Sequence, residues 1–138
     1  MPDTLTIRSH FEPPVLLRGR HLQSMLAGWP LRQVLVRRQA KEFLETSTDV
    51  IVDCGEGVRL LGHRTPAANS DCRSLVVLMH GWEGSAESMY ILSVASRLWR
   101  EGYDVFRLNL RDHGDSHHLN EELFHSCRLR EAIGAVLS

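Results

Sequence analysis

The apolar positions of the chain change period several times, and each change marks an element. Leu75-Val76-Val77-Leu78-Met79 is an uninterrupted apolar run of strand length, which predicts a buried strand. It stops at His80-Gly81-Trp82-Glu83-Gly84-Ser85, a loop punctuated by glycine. Beyond it Ile91, Val94, Ala95, Leu98 and Trp99 recur at i, i+3, i+4, i+7 and i+8, the stripe of an amphipathic helix for which Gly102 is the natural C-terminal cap. From Asp104 to Leu110, Val105, Arg107 and Asn109 alternate with Phe106, Leu108 and Leu110, which predicts another strand. A polar loop follows over residues 111–120. Leu129, Ala132, Ile133, Val136 and Leu137 then restore the helical period. The order strand, helix, strand, helix predicts a parallel sheet with right-handed crossovers.

Upstream, the stretch from Glu42 to Cys54 carries Phe43, Leu44, Val50, Ile51 and Val52, and Gly55-Glu56-Gly57 supplies a turn before a second apolar stretch from Val58 to Arg64. This predicts an antiparallel hairpin. Gly55, Gly57 and Gly62 lack the G-x-G-x-x-G spacing and lie between two strands, so a hairpin turn accounts for them better than a dinucleotide loop. Thr65 to Cys72, with Pro66, Asn69, Ser70 and Asp71, reads as a surface loop. Residues 1–40 read as an arm that packs on a body formed by residues 41–138. Pro13-Pro14 favours extended backbone there, and Leu17 to Ala27 forms a short helix ended by Gly28 and Pro30.

Composition narrows the function classes. The 138 residues are 43% hydrophobic and 24% charged, an ordinary globular balance. A formal charge of −1 gives no bulk attraction for nucleic acid or an anionic surface, and Arg18, Arg20, Arg37 and Arg38 read as solvated positions. Cys54, Cys72 and Cys127 are odd in number and form no C-x-x-C, which argues against a disulfide framework or zinc knuckle and suits a reducing compartment. Arg8, His10, Glu12, Pro13 and Pro14 interrupt any apolar leader, and no apolar run reaches the length of a membrane span. A cytoplasmic protein is the expectation. His113, His117, His118 and His125 with Asp112 and Asp115 hold ligand-type side chains, but their spacing matches no established zinc site. No metal and no cofactor is expected.

The chemistry-bearing feature is the loop His80-Gly81-Trp82-Glu83-Gly84 between strand and helix, a place where backbone N–H groups are presented to an oxyanion. Tyr90 and Trp82 are candidate pocket-lining residues. A nucleophile is harder to find, because no G-x-S-x-G occurs in the chain. Gly114-Asp115-Ser116-His117-His118 is the nearest approach, a G-x-S without its second glycine that also suggests a GDSL-like hydrolase using Ser116. The helix that must follow an elbow does not begin until about Glu121.

Two separated motifs carry a family resemblance. Phe11-x-Pro13-Pro14-x-x-Leu17-Arg18-x-x-His21-Leu22-Gln23-Ser24 resembles the F-x-P-P-x-x-L-x-x-x-H-L-Q-T opening of the YheT-like branch of the α/β-hydrolases. His80 to Tyr90 is similar to that branch's H-G-L-E-G-S-S-x-S-x-Y segment, Asn109-Leu110-Arg111 to its N-x-R-G, and Phe124-His125-Ser126 to its Y-H-S-G. Departures are Ser24 for threonine, Trp82 for leucine, Asp112 for the glycine after the arginine, and Cys127 for glycine.

The resemblance implies an α/β class chain, the N-terminal part of an α/β-hydrolase fold, with a mostly parallel sheet, an antiparallel N-terminal hairpin and a truncation before the nucleophile elbow. It implies the N-terminal fragment of a carboxylesterase- or lipase-like serine hydrolase, with a small acyl-ester or lipid-like substrate for the full-length enzyme. His80, Gly81, Trp82, Glu83 and Gly84 would form the oxyanion-hole loop, with the Trp82 N–H as donor. The triad would lie beyond Ser138, so the chain alone is expected to be inactive. By the same analogy the strand order is hairpin, 104–110, 75–79. Strand 75–79 is then an open edge that a C-terminal half or an oligomer must cover, and the isolated chain is expected to be poorly soluble. The alternatives are a non-catalytic remnant or a module that binds a small ligand without reacting.

Overall fold

The computed structural model describes residues 12–27, 29–68, 74–125 and 127–138. Phe11, Gly28, Asn69, Ser70, Asp71, Cys72 and Ser126, all named above, lie outside the described residues. The chain divides after Arg32 into two compact units. In the first, Val15–Leu17 make a single 3-10 turn and α1 spans Arg20–Ala27. The arm is therefore more helical than Pro13-Pro14 suggested. Pro30 does not end α1. It opens the next helix, α2 (Pro30–Gln39), at the first helical position, where a missing N–H costs nothing and φ is already set.

The second unit, Gln33–Ser138, is a mixed α/β structure. The end of α2 runs into the short helix α3 (Lys41–Glu45), followed by β1 (Thr48–Asp53), β2 (Arg59–Thr65), β3 (Leu75–Met79), α4 (Met89–Arg100), β4 (Asp104–Leu108) and α5 (Leu129–Leu137). Phe43 and Leu44 thus belong to a helix rather than to the hairpin. Phe43 is buried against Trp99, with ring centroids 6.1 Å apart, and that packing outweighs the weak strand preference of so short an apolar pair. The helix expected near Glu121 begins at Leu129, and residues 114–119 of the polar loop form a 3-10 turn.

The four strands form one sheet in the order β1-β2-β4-β3, the order implied above. Only β3–β4 is parallel; β1–β2 and β2–β4 are antiparallel. The mostly parallel sheet is therefore not what these four strands make. The hairpin reverses the chain once, and β2 then lies against β4, so one βαβ unit (β3-α4-β4) contributes the single parallel ladder. β3 pairs with β4 alone, and among the described residues it is an edge strand: Leu75 is 56% and Met79 47% exposed. The buried strand is β4, with four of its five residues buried.

Each face of the sheet carries its own core. Val36, Ala40, Phe43, Leu92, Ala95, Trp99 and Val105 join α2, α3 and α4 to one face; Leu60, Phe106 and Leu108 pack with Val77 and Ala135 on the other. Val105 and Phe106 fall in different cores, as the two-residue period of a strand requires. Gly62 has a packing reason to be glycine, since a Cβ there would meet the Phe106 ring at 2.0 Å. Gly102, at φ +90°, closes α4 as expected. No helix among the described residues is long and apolar enough to cross a membrane.

Candidate functional site

The site is assembled where β3 and β4 end side by side. His80, 5% exposed, directly follows β3, and its ring bridges the two strand ends. Leu110 N–H donates to Nε2 at 3.1 Å, so Nε2 carries no proton and Nδ1 donates to the Gly81 carbonyl at 2.8 Å. Burial pushes the imidazole below its ordinary value; the hydrogen bond to Gly81 opposes this, and nearby His113 adds to the lowering. A histidine held neutral in the fold but free to charge when unfolded contributes stability that is fully present above about pH 6.5 and lost as pH falls through the lower folded value. The urea midpoint should therefore drop between about pH 7 and 5, and His80→Asn should flatten that drop. An unchanged slope in the variant would remove His80 as its source.

The same Gly81 carbonyl accepts a second hydrogen bond from Gly84 N–H at 3.0 Å, closing a tight turn over Trp82 and Glu83. Glu83 takes φ +55°, the left-handed conformation that the third residue of a type II turn needs. Gly81 N–H donates to the Tyr90 hydroxyl at 2.7 Å. A Cβ on Gly84 would meet that hydroxyl at 2.8 Å and the Gly81 carbonyl at 3.0 Å, so Tyr90 and the turn close on each other only around a glycine.

Ser85 N–H goes to Ser88 Oγ, Ala86 N–H to Asn109 Oδ1 at 2.8 Å, Glu87 N–H to Ser85 Oγ and Ser88 N–H to the Ser85 carbonyl. From Gly81 to Ser88, only the adjacent N–H groups of Trp82 and Glu83 have no acceptor among the described residues. In a trans peptide the N–H points opposite the preceding carbonyl. With the Gly81 oxygen held by His80 and Gly84, the Trp82 N–H faces away from both. An exposed pair of oriented donors is what an anionic oxygen binds.

Asn109, 2% exposed, anchors this loop to the sheet. Its Oδ1 holds Ala86 N–H, and its Nδ2 donates to His63 Nε2 at 3.3 Å; His63 Nδ1 in turn donates to Asp49 Oδ1 at 2.6 Å. Asp49 and His63 are direct cross-strand partners. No sequence motif marks this line of residues. Its only signal in the sequence is two polar side chains at like-facing positions of a hairpin whose register the sequence leaves open.

Trp82, a candidate pocket residue, is 74% exposed with its ring edge-on to Phe124 at 6.2 Å; Phe124 meets His113 at 5.1 Å, and His113 meets His80 at 4.7 Å. The other candidate, Tyr90, braces the turn through its hydroxyl. Ser116 is 1% exposed, and its Oγ donates to the His113 carbonyl at 2.7 Å. Asp112 holds His117 Nδ1 at 2.5 Å. Among the described residues no group of three or more metal-ligating side chains comes together.

A concavity among the described residues lies elsewhere. It is an open, polar cleft of about 1270 Å³, bordered by Arg59, Arg111, His117, Glu122, Arg128 and Glu131, with no residue of the 80–90 segment in its lining. Three of its charged side chains are bound to one another: Arg111 grips Glu131 with bonds of 3.1 and 2.8 Å, and Arg128 Nη1 reaches Glu131 at 3.0 Å. That network ties the loop after β4 to α5.

Fold and site together define a mixed α/β protein with a strand-turn-helix loop that leaves two backbone donors unspent. No family model matches the sequence, and no curated protein matches it. Among solved structures, the crystal structure of a putative lipase from Acinetobacter baumannii AYE is similar, with a TM-score of 0.42 and 16% identity over 77% of this chain. The match covers 34% of that protein, so the chain spans about a third of its length.

Proposed function

We propose that the chain is the N-terminal part of an α/β serine hydrolase of the carboxylesterase or lipase type, of the YheT-like branch, and that its contribution to catalysis is the oxyanion-binding loop 80–84. The reading rests on one observation: the Trp82 N–H is oriented outward and unpaired in a loop whose other donors, Glu83 apart, are satisfied. In acyl transfer a serine oxygen adds to the ester carbon, its proton passes to a histidine, and the carbonyl π pair moves onto oxygen. That oxygen then accepts from Trp82 N–H and from a donor beside the nucleophile. Collapse expels the alcohol, which takes the proton from the histidine, and water repeats the sequence on the acyl-enzyme. Oriented donors lower this barrier only where a nucleophile generates the oxyanion, and this sequence contains no G-x-S-x-G. A second segment must supply the nucleophile, and the open edge of β3 is where its strand adds.

The test is fluorophosphonate labelling of the chain alone and of the chain co-expressed with the coding sequence that follows it, read in every frame. Labelling only in the second case, on a serine outside this chain, is expected. Labelling of the chain alone that Ser116→Ala abolishes would overturn the proposal, as would the lack of any labelling with a folded complementing segment.

A further inference from the structure

Arg111 and Arg128 meet in the polar cleft, where the loop after β4 reaches the start of α5. Their side chains are only 6% and 18% exposed, so two positive charges are withdrawn from water in one place. A single carboxylate of similar burial, Glu131, binds both: it accepts from Arg111 Nε at 3.1 Å and Nη2 at 2.8 Å, and from Arg128 Nη1 at 3.0 Å. Two guanidinium groups against one buried carboxylate leave one positive charge over, and a withdrawn charge calls for a further anion.

The chain supplies that anion weakly. Arg111 Nη1, at 3.6 Å, and Arg128 Nη2 both face the same oxygen of Glu122, Oε2. Glu122 is 70% exposed and stands in the irregular stretch between Leu119 and Leu129. An exposed ion pair of this kind contributes little and opens readily. It also leaves a donor unserved, because Arg128 Nε is buried and has no acceptor among the described residues. Nε and Nη2 share one edge of the planar guanidinium, the edge that a carboxylate grips with both oxygens. Glu131 holds Arg111 in that way, through Nε and Nη2. Glu122 fills only half of the equivalent seat on Arg128.

We propose that the cleft binds a small-molecule carboxylate, which displaces Glu122 and sets its two oxygens on the Nε–Nη2 edge of Arg128, with Arg111 Nη1 beside them. A cleft of about 1270 Å³ leaves room for the rest of such a ligand, and its polar lining excludes a long acyl chain. Arg130 also lines the cleft, is exposed and has no ion-pair partner among the described residues, so a second acidic group on the ligand is favoured. The site is independent of the hydrolase reading, since neither the loop 80–84 nor any nucleophile takes part in it.

The test is calorimetric titration of the full chain with succinate, at an ionic strength held constant with sodium chloride. Saturable binding at one site is expected. Glu122→Ala, a change at an exposed position, should tighten it about two- to fivefold, the factor by which a competing surface ion pair masks the seat. Arg128→Lys in that background keeps a positive charge but offers no paired edge, and should weaken binding about tenfold or more. Far-UV circular dichroism checks that each variant is folded. The proposal is overturned if neither the parent nor Glu122→Ala binds succinate, or if Glu122→Ala binds no more tightly than the parent. It is overturned equally if adding Arg128→Lys leaves the affinity of Glu122→Ala unchanged. Tighter binding of inorganic phosphate than of succinate would overturn the carboxylate assignment, and binding of polyglutamate without succinate would overturn the small molecule in favour of a protein partner.

Discussion

Replacing Trp82 by proline should lower kcat of the complemented enzyme by about 10²–10³ while KM changes little, because it deletes the N–H proposed above as a donor to the developing oxyanion. The substitution suits the turn. Glu83 has the positive φ of the third position whereas Trp82 does not, and proline is favoured at the second position of such a turn. The Gly81 carbonyl keeps both of its hydrogen bonds, since neither uses the Trp82 N–H. Trp82→Ala is the control: it removes the ring that meets Phe124 but retains the donor, and should keep kcat within about tenfold. If both variants lose kcat alike, the indole rather than the backbone carries the effect, and the loop is not an oxyanion site.

The second large effect concerns stability. Arg107 lies in the middle of β4 at 1% exposure, donating to the Ala86 carbonyl at 3.0 Å, Glu87 at 2.8 Å and Ser47 Oγ at 3.1 Å, with its guanidinium 5.1 Å from the Phe43 ring centre. Arg107→Ala should cost about 3–5 kcal/mol, enough to unfold a domain of ordinary stability, because it opens a cavity and strips three acceptors at once. Arg107→Met fills most of the volume and leaves Glu87 able to reach water, so it should cost about 1–2 kcal/mol. Arg107→Lys should be worse than methionine: an ammonium keeps the burial penalty of a charge but cannot spread over three acceptors and a ring. Urea unfolding checks the order. Lysine as the mildest change would show that charge alone matters at this position.

Much of the fold was legible because its signals are local. The α4 stripe ends at Gly102, the glycine turn at 55–57 joins two strands, and β4 shows its alternation in the sequence itself. The sequence is ambiguous where a short apolar pair or a single proline has two uses. Phe43 and Leu44 suit a strand or a helix, and only the distant Trp99, more than fifty positions on, decides between them. Pro30 ends a helix or begins one, and the residues after it decide.

The site divides in the same way. The turn at 81–84 was readable from glycine placement. The fixed His80 ring was not, since its Nε2 partner is a backbone N–H thirty residues away. Nor was the line Asp49, His63, Asn109, because it needs the hairpin register and the end of β4 at once. Side chains whose role is to hold other groups in place show no period and no motif.

The strand order has a consequence for how the chain comes to be folded. β4 lies between β2 and β3, so the two earlier pieces of sheet share no ladder and meet only through β4, the last of these four to be made. Until residues 104–108 leave the ribosome, the growing chain presents two separate open edges, one on the hairpin and one on β3, both waiting for the same partner. Slow codons or a chaperone site between Arg100 and Leu108 would lengthen that interval. Cell-free yield should respond more to synthesis rate there than in the hairpin, whose strands find each other at short range.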